Sequence, residues 1–353
     1  VKNPAGSSLR NGRPSLGGRE SQILISILIA TRDNEKTIAG CLESVLAQTQ
    51  PHFEVLVAND GSRDRTLEIA RGFSTLDPRV RVISFDVSRG AASARNAALR
   101  AARGGVFVFL DADCVCPPTW LAALVAPLAG EEAAAAGGPD SAFPNDTIFR
   151  RCVDYSMHSF IGSGGLRRGD SRLIPYSPAG CNLAVRREVV EEIGMFDERL
   201  NRRGEDKEFE ARLRRSGRDI VYVPQARIWH YRRADPRSFW RQNVLSGRAR
   251  VDIVRTAPDA FRWPHFVPAA YVGAIAAGGA ASLLFAPVRP LFLTALAVHG
   301  ALLLIDGAIG AWRLRDLRAF WIVPLASAMI PLGYGFGTLK RLVERDGSKN
   351  TRL

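Results

Sequence analysis

Apolar residues in the first 110 positions come in short unbroken runs separated by stretches of helical spacing. Residues 23–30 are continuous, apolar and rich in isoleucine, as in a strand buried on both faces. Residues 36–48 set Ile38, Cys41, Leu42, Val45 and Leu46 at helical intervals. Residues 53–58 form a second buried run, and Asn59-Asp60-Gly61-Ser62 is a strong turn sequence. Leu67, Ile69 and Ala70 open another helical pattern, and residues 80–85 read as a third strand. Residues 91–103 predict an Ala-rich helix stopped by Gly104-Gly105, and residues 106–110 a fourth strand that runs straight into Asp111. Alternation of this kind predicts an α/β fold, a mostly parallel Rossmann-like sheet with helices on both faces. Ligands bind such sheets outside the carboxyl ends of the strands. Asp60 and Asp111 both fall just past strand ends, so the pattern places them in one crevice.

Between residues 117 and 174 the pattern is less regular, and residues 162–169 read as a mobile Gly/Arg loop. Then follow a strand (181–185), a helix (187–193), a polar turn (201–204), a charged helix (205–215) and two short strands (220–223 and 226–231). Residues 236–254 mix Phe239, Trp240, Val244, Leu245 and Val251 with arginines, the signature of a basic amphipathic helix at a membrane interface. Residues 266–286, 291–312 and 320–338 are long and nearly uncharged, and about twenty apolar residues cross a bilayer. The first two predict membrane spans. The third carries Pro324, Pro331 and Gly333-Tyr334-Gly335-Phe336-Gly337 and is open to two readings, a span or a re-entrant segment. The expected organisation is a flexible tail (1–20), a catalytic domain (21–235), an interfacial region (236–262), a membrane domain (263–340) and a basic tail (341–353). The basic loop at 313–318 puts that end of the spans, and with it the catalytic domain, in the cytoplasm.

Composition narrows the choice. The 353 residues carry a formal net charge of +13, and the basic residues are almost all Arg, a balance that suits nucleic acid, an anionic membrane or phosphorylated ligands. Zinc-finger spacing, a helix-turn-helix pattern and aromatic RNP-like strands are missing, so nucleic acid is not expected as a partner. Cys41, Cys114, Cys116, Cys152 and Cys181 are odd in number and irregular in spacing, which predicts reduced thiols. Cys114-Val115-Cys116 is too tight for the usual zinc pair.

The candidate chemistry sits at the strand ends. Asp111 and Asp113 are two apart, so an extended backbone points both carboxylates the same way, toward one metal-diphosphate unit. Glu205-Asp206 opens a helix after Gly204, where a carboxylate can serve as general base or simply favour the helix dipole. Asp60 can accept from a base N–H or merely shape its turn, while Arg89, Arg95 and Asn96 can reach phosphate and ribose or line a solvated helix start. His230, in Trp229-His230-Tyr231, is a third metal ligand or a half-buried structural residue. His299 and Asp306 lie seven apart inside the second span, and pairing with each other is the simplest account.

Taken in order, these segments resemble family 2 glycosyltransferases of the GT-A fold. The resemblance rests on residues 27–35 (Ile-Leu-Ile-Ala-Thr-Arg-Asp-Asn-Glu), Asn59-Asp60-Gly61-Ser62-Arg63-Asp64, Arg89-Gly90 with Ala94-Arg95-Asn96, and Phe109-Leu110-Asp111-Ala112-Asp113. Gly180-Cys181-Asn182, Gly194-Met195-Phe196-Asp197 and Gly204-Glu205-Asp206 resemble the family's acceptor-side segments, and the trailing spans resemble exopolysaccharide (succinoglycan-type) members. The resemblance implies inverting transfer from a nucleotide-diphosphate sugar, most often a UDP-sugar, with Mg or Mn. It implies Thr31, Asp33, Glu35, Asp60, Arg89, Arg95, Asn96 and Asp111 on the nucleotide, Asp111, Asp113 and His230 on the metal, and Asp206 as base assisted by Glu205. Asp33 replaces the family's usual Tyr. The Q-x-x-R-W motif of processive synthases is missing at Gln242, which implies addition of one sugar at a time. The acceptor so implied is a lipid-linked saccharide or polyprenyl phosphate, met by a multi-pass protein of the cell inner membrane. A catalytically inactive GT-A scaffold is the alternative. A dinucleotide-dependent dehydrogenase is disfavoured because residues 31–34 lack the G-x-G-x-x-G turn.

Overall fold

The computed structural model describes residues 23–130, 133–164, 176–200 and 203–344. The expected tail at 1–20, most of the Gly/Arg loop, residues 201–202 and most of the basic C-terminal tail lie outside the described residues.

The alternating half folds as its pattern predicts. It runs β1 (Ile25–Thr31), α1 (Ile38–Leu46), β2 (Phe53–Asp60), α2 (Thr66–Leu76), β3 (Val80–Phe85), α3 (Ala91–Ala101) and β4 (Val106–Asp111). Strand pairing is parallel with β1 in the middle, Ile27 opposite Val55 on one side and Val108 on the other. Successive residues face opposite ways, so Ile27, Val55 and Val108 enter one core while Leu28, Leu56 and Phe109 enter the other. Full burial of side chains this size contributes about 1.5–3 kcal/mol each. The small side chains of Ala92, Ala94 and Ala98 let α3 lie close on β1 and β2.

The chain continues through β5 (Cys114–Val115), α4 (Trp120–Val125), β6 (Ala133–Gly137), β7 (Asp140–Ser141), α5 (Ile148–His158), α6 (Phe160–Ser163), β8 (Asn182–Arg186), α7 (Arg187–Ile193), α8 (Glu205–Arg215), β9 (Asp219–Tyr222) and β10 (Ile228–His230). The main sheet has the order β3-β2-β1-β4-β8-β6-β9, parallel except where β8 runs against β4 and β6. The sequence pattern gave no sign of β6. Its Ala-Ala-Ala-Ala-Gly is a poor strand former, and its place between β8 and β9 overrides that preference. A second sheet, β5-β10-β7, closes over the end of β4 and sets His230 directly opposite Cys114.

The last part is helical: α9 (Pro236–Thr256), α10 (Val267–Leu284), α11 (Val288–Leu314) and α12 (Ala319–Val343). The last three are each long and apolar enough to cross a membrane, and Pro324 and Pro331 sit inside α12 without ending it. The most apolar stretch of α12 is 39% buried, against 11% for α10 and for α11. It is covered on several sides, by α5, α10 and α11 and most extensively by α9, which packs along it. A side chain at Gly247 would meet the Tyr334 carbonyl, and one at Gly337 would meet that of Val244. Arg248 and Glu344 (2.7 Å) and Arg341 and Asp252 (2.6 Å) close the same seam with ion pairs.

Asp306 does not pair with His299. Seven residues separate them by about 10 Å along a helix, beyond the reach of the two side chains. Asp306 instead accepts from Ser327 Oγ (2.7 Å), Tyr155 Oη (3.1 Å) and Ser159 Oγ (3.2 Å), which ties α5 to α11 and α12. His299 meets Tyr271 Oη at 2.9 Å.

Candidate active site

The carboxyl ends of β1, β2 and β4 floor a cavity of about 530 Å³ lined by Thr31, Asp60, Arg89, Arg95 and Asp111, among others. Asp60 shapes its rim. Its carboxylate accepts from Ser88 Oγ (2.6 Å), Arg89 N (2.6 Å) and Gly90 N (3.0 Å), which folds the loop after β3 over the sheet. Gly61 makes that approach possible, since a Cβ there would lie 2.6 Å from Ser88 N. The Arg89 guanidinium then rests 4.6 Å over the Phe85 ring. Arg32, which sequence reasoning passed over, also lines the cavity and donates to Ser88 Oγ.

Three residues expected on the nucleotide are engaged elsewhere. Asp33 accepts from Arg63 N (2.8 Å) and Glu35 from Arg65 N (3.2 Å), so both latch the loop after β1 to the turn after β2. Asp33 sits at φ 54°, a left-handed conformation that Asp tolerates better than most residues. Asn96 is almost fully buried and bonds both backbone polar groups of Phe196 as well as Glu198. It follows Arg95 on a helix, and a turn of about 100° per residue points the two in different directions. None of the three lines the cavity.

Arg95 is the hinge of the site. Its Nη2 donates to Asp111 Oδ1 at 3.1 Å, and its Nη1 pairs with Glu205 at the start of α8. Burial alone would favour the neutral guanidine, but Asp111 and Glu205 outweigh it and hold Arg95 firmly charged. Burial also lifts the Glu205 carboxyl above its ordinary range, with Arg95 opposing and Asp206 adding to the lift. Glu205 therefore serves Arg95, and its neighbour faces the opening.

That opening is a second cavity of about 570 Å³, which shares Arg95 and Asp111 with the first and is lined by Asp206, His230 and Cys181. Gly204, at φ 99°, starts α8 in a conformation natural to glycine. Gly180 lets Asp206 sit where it does, since a Cβ there would lie 2.8 Å from Asp206 Cβ. The far wall is Arg250 of α9 with Arg262, Pro264 and His265 just ahead of α10.

Asp113 Oδ1 lies 3.3 Å from His230 Nε2, so an oxygen and an imidazole nitrogen converge on one point. Asp111, expected to join them, turns its carboxylate to Arg95 instead. His230 Nδ1 lies 3.4 Å from Asp140 Oδ2, which Arg232 holds at 2.6 Å. Burial would deprotonate His230, but Asp113 and Asp140 raise it well above the usual imidazole range. Asp140 went unnoticed in the sequence, because only the pairing of β7 with β10 brings it to the histidine, and with it went the role of Arg232. The one sequence sign was the irregular stretch that holds Asp140.

Residues 26–194 match the profile of Glycosyl transferase family 2. This segment is a family 2 glycosyl transferase domain. The glycosyltransferase AglE of Haloferax volcanii is 31% identical over 179 residues, 50% of this chain and 57% of that protein. The O-antigen biosynthesis protein RfbC of Myxococcus xanthus is 31% identical over 228 residues, 61% of this chain and 18% of that protein. WfgD of Escherichia coli, named a UDP-Glc:alpha-D-GlcNAc-diphosphoundecaprenol beta-1,3-glucosyltransferase, is 38% identical over 99 residues, 28% of this chain and 37% of that protein. The chain thus spans little more than half the length of AglE and less of the other two. The mannosyltransferase PcManGT from Pyrobaculum calidifontis, solved with GDP-Man and Mn2+, superposes with a TM-score of 0.63 at 20% identity. That match covers 91% of this chain and 87% of the other, and it shows the GT-A fold for the family 2 domain.

Proposed function

We propose that this chain is an inverting glycosyltransferase that moves a sugar from a nucleotide-diphosphate sugar to a lipid-linked acceptor at a membrane. The observation that carries the reading is the meeting of two cavities at Arg95 and Asp111, with the Asp206 carboxylate facing only the second. The first cavity takes the nucleotide, with Thr31 and the Asp60 loop below it and Arg89 and Arg95 as cations for the diphosphate. The acceptor enters the second. Asp206 takes the proton of the acceptor hydroxyl as its oxygen attacks the anomeric carbon. The bond from that carbon to the diphosphate breaks, and the diphosphate leaves into the first cavity beside the two arginines.

Asp113 and His230 are a mixed oxygen and nitrogen pair that fits Mn, and Asp113 alone suits Mg. A divalent cation held there supplies charge neutralisation to the leaving diphosphate. The lipid-linked acceptor is supported by the far wall of the second cavity, where Arg262, Pro264 and His265 lead directly into α10. Phe261 and Trp263 in the same segment are exposed, as side chains that meet an interface are. WfgD's name specifies a diphosphoundecaprenol acceptor and a UDP-sugar, and UDP-sugars therefore come first among candidate donors. A basic loop at 313–318 supports a cytoplasmic catalytic domain.

The test is transfer by the full chain in nanodiscs, with UDP- and GDP-sugars crossed against polyprenyl phosphate and diphosphate-linked saccharides and read by mass spectrometry. A glycolipid product that depends on Asp206 and on added Mn or Mg is expected. Product formed equally well by Asp206→Asn, or no donor bound at all, defeats the reading, and the second outcome favours an inactive scaffold.

A further inference from the structure

Two thiols under the Asp113 loop, Cys114 and Cys181, have no part in sugar transfer as described, and they meet His230 there. Cys114 Sγ, Cys181 Sγ and a ring nitrogen of His230 all lie within 4.8 Å of one another. They come from β5, from the turn before β8, and from β10, so the fold alone assembles them. Both thiols are buried and reduced, and Cys181 and His230 line the second cavity, which gives an ion a way in. His230 is already braced, with Nδ1 toward Asp140 Oδ2 and Arg232 fixing that carboxylate. A carboxylate behind the imidazole is the usual support of a metal-bound histidine, and it leaves Nε2 as the metal-facing nitrogen.

We propose that Cys114, Cys181 and His230 form a binding site for a thiophilic divalent ion of the zinc class, and that its occupation draws His230 Nε2 away from Asp113. Two sulfurs and one imidazole are a borderline-soft set that selects zinc over magnesium or manganese, which prefer oxygen. Binding converts both thiols to thiolates and releases two protons to solvent, so affinity rises with pH. Nothing is oxidised. Asp113 and the thiol pair thus compete for one nitrogen, with a hard ion on one side and a soft ion on the other. The site stands without the transfer reading, and only the competition rests on it.

The test begins with the unaltered full chain, reduced, stripped with chelator and given one equivalent of Zn2+. X-ray absorption should show two sulfurs at about 2.3 Å together with nitrogen or oxygen. A shell of nitrogen and oxygen alone overturns the proposal, as does a wild-type mass two hydrogens light, which would mean that Cys114 and Cys181 are joined. Cobalt is the second probe. A thiolate-to-cobalt charge-transfer band should appear in wild type and in Cys152→Ser, whose thiol lies far off between α5 and α12. It should vanish in Cys181→Ser. Asp140→Asn should weaken cobalt affinity about 10- to 100-fold, as loss of a supporting carboxylate does. A band that survives Cys181→Ser, or unchanged affinity in Asp140→Asn, also overturns it. The competition is read separately. Zn2+ should suppress Mn2+-supported transfer, and two-sulfur binding that leaves transfer untouched refutes the competition while keeping the site.

Discussion

Glu54 stands at the amino end of the central sheet and Asp206 beside its carboxyl end, and the two carboxylates are treated in opposite ways. Glu54 accepts from Ser26 Oγ (2.8 Å), Arg103 N (2.6 Å), Arg103 Nε (3.0 Å) and Arg81 Nη1 (3.1 Å), so β1, β2, β3 and the entry to β4 are joined through one side chain. Burial works to raise its pKa, but these donors prevail and hold it below the ordinary range. Asp206 faces a cavity wide enough for a saccharide. The amino end uses charge to knot the chain, while the carboxyl end, where ligands bind such sheets, sets the Asp206 charge on a cavity wall. Asp60 is the instructive intermediate. It sits at the ligand end yet spends its carboxylate on its own loop, so its contribution is the shape of the cavity.

The largest expected effect lies at the open end. Asp206→Asn should lower turnover about 10²- to 10⁴-fold, the usual worth of a general base, with donor affinity and melting temperature kept. Turnover within a few-fold of wild type would erase the contrast between the two ends. Gly180→Ala should come next, because its methyl group presses on Asp206. Overpacking of this kind costs about 1–3 kcal/mol, and it should appear in kcat more than in donor Kd. A change confined to donor Kd would move Asp206 out of the acceptor cavity. Asp60→Ala should do the reverse, with weaker donor binding by calorimetry and a stability loss of about 1.5–3 kcal/mol from the lost charged hydrogen bonds.

The smallest effect is at the amino end and depends on pH. A depressed folded value means that Glu54 stabilises the protein above its ordinary 4.5, and that this help disappears as pH falls through the depressed value. Glu54→Gln should therefore be less stable than wild type near pH 7 and should lose less stability on acidification, as melting scans from pH 7 to 3 would show. Its transfer rate at neutral pH should match wild type. Parallel acid limbs would show that Glu54 is not the knot described.

What could be read beforehand follows the range of the interactions. The first four strands and their helices are local patterns of fully buried runs, and the four strands begin and end within two residues of their expected places. Asp60, Arg89, Arg95, Asp111, Asp206 and His230 all reached a cavity wall. Asp33, Glu35 and Asn96 did not, because a polar residue in a motif reads the same whether it binds a ligand or a neighbouring loop. Partners such as Arg63 N and the Phe196 backbone, distant in sequence, decide which. Likewise β6 is hidden by its alanines, and Asp140 by a pairing that spans almost ninety residues.

The seam between α9 and α12 sets a length scale. Gly247 and Gly337 bring backbone against backbone, so their meeting point cannot be adjusted by exchanging one side chain for another. The two helices can slip past each other only by moving the glycines a full turn, about 5.4 Å at a time. The height of the Asp206 cavity above the apolar helices is thereby stepped, not graded. Relatives that keep this seam should favour acceptors whose reactive sugar stands at one distance from its lipid, and a change of acceptor length should go with a shift of the glycines by whole turns.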